Sequence, residues 1–150
     1  MQAVRTVYRY LAAFVVLGVL AQIAAAGYGA FYSAERLDVE GDQHKTINTD
    51  TFQDGFDFHS GFGYLVILGT ILLFVLALVL RVGKPRIWWN LALPLLGIVQ
   101  VILAWAGTDS PFVGSLHAVN AVVLLGLAGF LAREAWWGTR KPPTASTQAA

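Results

Sequence analysis

The chain has 150 residues, 57% of them hydrophobic and 13% charged, with no cysteine and a formal net charge of +1. A water-soluble domain carries roughly 45–50% apolar and about 25% charged residues, so this composition excludes an ordinary soluble fold. Without cysteine there are no disulfides, thiolate metal sites or thioether-bound haem, and the scattered bases form no stripe suited to nucleic acid.

Four apolar runs, at about 7–31, 58–80, 87–107 and 111–137, are each long enough to cross a bilayer core, which takes about 20 residues of helix. Lipid leaves no water to satisfy open backbone groups, so each run is expected to be a helix. Stretches such as Ile71, Leu72, Leu73 and Phe74 lack the alternation of a β-barrel strand. The expected fold is all-α: an integral membrane four-helix bundle over residues 1–137.

Arg5 and Arg9 open the first span. Ala24, Ala25 and Ala26 resemble a signal-peptide cleavage site, but the apolar run continues to Phe31, which favours a retained helix. Residues 32–57 read as an outer loop, in which Arg36, His44 and Lys45 are outnumbered by acids such as Glu40, Asp42 and Asp57. Thr51 and Asp54 resemble a capping box ahead of the second span. That span opens Phe58-His59 and closes on a basic connection holding Arg81, Lys84 and Arg86. Trp88 and Trp89 begin the third span. Ser110 before Pro111 marks the start of the fourth, which carries His117 and ends at Trp136 and Trp137. Residues 138–150 have no apolar face and read as a disordered tail. The placement of the bases puts both termini and the 81–86 connection in the cytoplasm of a multi-pass plasma-membrane protein.

The spans also read as two copies of a helix pair. Leu17, Gly18 and Gln22 in the first correspond to Leu96, Gly97 and Gln100 in the third. His59 and Gly63 in the second correspond to His117 and Ala121 in the fourth. Such halves would be related by an axis along the membrane normal; chance alignment of Leu/Val/Ala-rich helices is the competing explanation.

Two histidines inside apolar spans stand out, because ionisable groups are costly in lipid. Counted from the expected caps, His59 and His117 lie at similar depth near the outer side. That makes them candidate axial ligands of one iron, with small residues one turn away leaving room for a flat macrocycle. The competing readings are structural hydrogen bonds to Gln22 and Gln100, or proton or metal handling. Gln22, Gln100 and Asn120 are the other buried polar candidates, most simply as bonds between helices. Zinc is disfavoured, since no four-ligand set is visible.

The segments Gly29-Ala30-Phe31, Phe58-His59 with Gly63, and Leu116-His117-Ala118-Val119-Asn120-Ala121 resemble a small bacterial family of four-span membrane proteins with no assigned activity. The likeness extends over nearly all of the chain through Arg133. More distantly, the plan is similar to one four-helix half of heme A synthase, where histidines on the second and fourth helices ligate haem. That resemblance implies His59 and His117 as axial ligands. Phe56 stands where that family's catalytic glutamate would be expected, which argues against the synthase reaction. The expected function is haem b binding for electron transfer or redox sensing, with the bilayer and a membrane redox partner as surroundings. The alternatives are a cofactor-free scaffold or subunit of a membrane complex and, last, a carrier or proton relay.

Overall fold

In the computed structural model the described residues are 1–39 and 49–138. They form four helices: α1 (Gln2–Val39), α2 (Thr49–Leu80), α3 (Lys84–Gly107) and α4 (Pro111–Trp137). Each is long and apolar enough to cross a membrane. Neighbours pack in the cyclic order α1, α2, α3, α4, so α2 and α4 face one another across a diagonal.

The core is built at helical spacing. Tyr8, Ala12, Val15 and Val19 of α1 meet Val66, Leu73 and Ala77 of α2, with Leu93 of α3 and Leu124, Ala128 and Leu131 of α4. In α1, α2 and α4 these residues fall three, four or seven positions apart and so lie along one face of the helix. The opposite faces carry exposed Leu17, Leu68, Ile102 and Val122. An apolar outside on an apolar core is the pattern of a helix solvated by lipid.

Glycines set the closest approaches. A Cβ on Gly29 would sit 2.8 Å from the carbonyl oxygen of Gly55, and one on Gly107 would sit 2.8 Å from the Cα of Gly114. These two crossings draw α1 onto α2 and α3 onto α4 at one end of the bundle, as small residues do between membrane helices. At the other end, the side chain of Arg86 pairs with Glu134 at 2.8 Å, and Arg9 Nε donates to the carbonyl of Ala135 at 2.9 Å. The start of α1, the end of α4 and the 81–83 connection therefore share that end, along with exposed Trp88, Trp89 and Trp137.

The connection after α2 is a tight helix stop. The N–H of Val82 donates to the carbonyl of Ala77 and that of Arg81 to Leu78, the double bond of a Schellman motif. Arg81 occupies its left-handed position at φ 50°. Glycine is the usual residue there, and a side chain in that region costs about 1–2 kcal/mol.

The outer segment differs from expectation. Residues 32–57 are not a loop throughout, since α1 continues to Val39 and α2 begins at Thr49. Thr51 and Asp54 lie inside the first turns of α2 rather than capping it. The physical reason is a stripe that no apolar run announces. Phe52 stacks on Phe56 at 4.6 Å, and Gly55 sits on Gly29. At 1.5 Å per residue, both helices exceed a bilayer core of about 30 Å, so their outer turns need not be apolar all round. Ser110 holds the N-cap position of α4, but its hydroxyl makes no capping bond. His44 and the tail beyond Gly138 lie outside the described residues.

Candidate functional site

His59 on α2 and His117 on α4 face each other across the diagonal, with ring centroids 6.1 Å apart and ring planes at 62°. Both rings are half-buried. Their equal level does not come from equal distance to the helix starts, because His59 lies ten residues after the first residue of α2 and His117 six after that of α4. It comes from the bonds that fix them. His59 Nδ1 lies 3.0 Å from the backbone carbonyl of Gln22, and His117 Nδ1 lies 3.0 Å from that of Gln100. Each histidine is thus bonded to the glutamine that the hydrogen-bonding reading paired it with, through that residue's main-chain carbonyl.

These bonds settle the tautomer by chemistry. A carbonyl oxygen only accepts, so each Nδ1 carries the proton and donates it. In a neutral ring bonded this way Nε2 keeps its lone pair. A ring nitrogen held by a carbonyl, with the other left basic, is the usual support of a metal-ligating histidine.

The rings line a cavity of about 500 Å³ whose walls are chiefly Val19, Val66, Ile67, Val101 and Leu124. This volume lies within the range of small-molecule and cofactor sites, about 300–1,000 Å³. Gly63 and Gly97 open the wall: a Cβ on Gly63 would lie 3.4 Å from Gln22 Oε1, and one on Gly97 would lie 3.5 Å from Ile67. Thr70 turns its hydroxyl back to the Ile67 carbonyl at 2.7 Å and offers little to an occupant.

The two glutamines differ. Gln100 Nε2 donates to the His117 carbonyl at 3.0 Å, and Asn120 Nδ2 donates to Gln100 Oε1 at 2.6 Å and to the Leu96 carbonyl at 3.0 Å. Gln22 Nε2 is buried with no hydrogen-bond partner among the described residues, and Gln22 lines the cavity. An unpaired buried donor carries a desolvation penalty of about 1–3 kcal/mol, which an acceptor on a bound group would relieve.

The donor set can be tested against candidate metals. Among the described residues no three of His, Cys, Asp and Glu come together. Two imidazoles cannot complete the tetrahedral set that zinc prefers. They suit an iron whose other positions are filled by its own macrocycle. Metal–imidazole bonds of about 2.0–2.1 Å place facing ring centres about 6 Å apart, close to the observed separation. Two imidazoles at this separation are a donor pair that a macrocycle-bound iron could take.

Sequence reading missed Asn90, which is buried and accepts the Tyr8 hydroxyl at 3.0 Å; an amide set in an apolar run was the available signal. It also missed the Gly29–Gly55 and Gly107–Gly114 crossings as pairs.

Residues 49–108, which take in α2, α3 and His59, match the model of a family of unknown function (DUF6220). This likeness is narrower than the near whole-chain resemblance expected, and it stops short of His117. No curated protein and no solved structure matches the chain. The expected likeness to heme A synthase has no support among these comparisons.

Proposed function

We propose that this small membrane protein holds one haem b between His59 and His117 and passes electrons or reports redox state in the plasma membrane. The observation that carries the reading is the pair of imidazoles 6.1 Å apart, each anchored at Nδ1 by a main-chain carbonyl. The apolar cavity and the unpaired Gln22 donor agree with it. Bound haem supplies one-electron chemistry, with its potential set by axial ligands, burial and hydrogen bonds. The chain's own residues orient the two rings through their Nδ1–H bonds to main-chain carbonyls, exclude water with the Val and Leu walls, and place the Gln22 amide beside the cavity. Two histidine ligands would leave no open iron position for a substrate, which favours electron transfer over oxygen activation. The distribution of bases puts both termini on the cytoplasmic side in this reading, with the haem toward the outer side.

The test is spectroscopic. Protein expressed with haem supply and purified in detergent should show a reduced α-band with dithionite, and His117→Ala should lose it. A colourless preparation that takes up no added hemin would end the reading and leave a cofactor-free scaffold.

A further inference from the structure

The end of the bundle where α1 starts and α4 ends contains a second cavity, of about 170 Å³. Arg5 and Arg9 of α1, Arg81 at the α2 stop and Arg86 of α3 all line it, with Glu134 of α4 as the single carboxylate in the wall. Arg86 is paired with Glu134 at 2.8 Å, and Arg9 Nε is engaged by the Ala135 carbonyl. Arg5 and Arg81 carry no ion pair among the described residues. The lining therefore holds an excess of positive charge, contributed by three helix ends.

The floor of this cavity is rigid. Tyr8 and Asn90 are both buried and bond each other at 3.0 Å, and Asn90 Nδ2 donates to the Arg86 carbonyl at 2.8 Å. Leu131 closes the base.

Arg81 supplies the second, independent observation. It is the one non-glycine residue with positive φ among the described residues, and it sits where a Schellman stop favours glycine. Backbone strain kept against an easy alternative points to a use for the side chain. The exposed Trp88 and Trp137 at the same end mark a membrane–water boundary. Basic pockets between helices at such a boundary hold phosphate headgroups.

We propose that this cavity binds a phosphate group, with Arg5 and Arg81 as the principal charges and Arg86 and Arg9 as positioned neighbours. The phosphate belongs either to an anionic phospholipid headgroup or to free phosphate. The site is separate from the histidine cavity, so it stands or falls independently of haem binding.

The test is thermal unfolding of the purified full chain in detergent at constant ionic strength. Its arms are phosphatidylglycerol against phosphatidylcholine in mixed micelles, and inorganic phosphate against chloride. The expected result is a rise in Tm of at least about 2 °C with the anion, lost or reduced at least about threefold in Arg5→Gln and Arg81→Gly. Arg81→Gly should also raise the basal Tm, because it relieves the left-handed backbone, so its weaker response cannot come from misfolding. A response to phosphatidylglycerol alone assigns a lipid headgroup, and a response to both anions assigns the phosphate group itself. No response to either anion, or an undiminished response in both variants, overturns the proposal.

Discussion

The α1–α2 and α3–α4 pairs share a scaffold and part company over one amide. A fixed offset carries Val15 onto Leu93, Gln22 onto Gln100 and Gly29 onto Gly107; another carries His59 onto His117, Val66 onto Leu124 and Leu73 onto Leu131. The matched residues play matched parts: buried core positions, a carbonyl holding a histidine Nδ1, and a glycine at a close crossing. Where Asn120 follows His117 by three positions, Phe62 follows His59, and its ring packs against Phe58 and Phe14. Gln100 Nε2 is held by the His117 carbonyl and its Oε1 by Asn120, whereas Gln22 Nε2 is buried without a partner among the described residues. The repeat keeps the geometry that positions two like rings, and the halves differ in how their glutamine amides are satisfied.

The largest expected effect tests whether the two rings act together. His59→Ala and His117→Ala should each abolish the reduced α-band on their own, since loss of either ligand breaks the pair. Retention of the full band in one variant would show that the halves are not equivalent at the site. Next come the crossings. Gly29→Val and Gly107→Val should each lower stability by about 1–3 kcal/mol through overpacking, read as a fall in Tm in detergent, while Gly27→Ala should be neutral because no atom lies within 4 Å of the added Cβ. A large drop at only one crossing would break the comparison there.

Smaller effects sharpen the difference between the glutamines. Asn120→Leu removes two hydrogen bonds and should cost about 1 kcal/mol, measured by thermal unfolding. It should leave Gln100 Oε1 without this partner while Nε2 keeps its bond to the His117 carbonyl. Gln22→Leu should stabilise the cofactor-free chain by about 1 kcal/mol, because it removes a buried donor that has no partner among the described residues. Under the haem reading it should nonetheless alter the midpoint potential of the loaded protein, and an unchanged potential would mean that the amide faces nothing.

The spans were legible because long apolar runs in lipid admit only one backbone solution. The ends at Leu80, Gly107 and Trp137 coincide with the expected ones, since basic, glycine and tryptophan residues mark them. The start of α2 was legible to within two residues through the Thr51 cap, but its outer turns were not read as helix: Gly55 and Phe56 pack on Gly29 of α1, and a window rich in Asp gives no sign of that. His59 and His117 were legible as polar exceptions, and so was their meeting across the bundle. Their anchoring by main-chain carbonyls was not, because any residue supplies a carbonyl and side-chain identity carries no record of it. The arginine cavity was hidden for a similar reason. The sequence presents Arg5, Arg9, Arg81 and Arg86 as a topological signal, and only the fold brings them around one space.

The diagonal placement of the histidines has a mechanical side. The backbones of α2 and α4 do not come into contact among the described residues, whereas α1 joins α2 and α3 joins α4 at glycine contacts. The two helix pairs meet through α1 against α4 and α2 against α3, and no direct backbone contact among the described residues crosses the diagonal where the imidazoles face. A group gripped by both would act as a rivet through opposite corners of the frame, coupling its occupancy to the rigidity of the whole bundle.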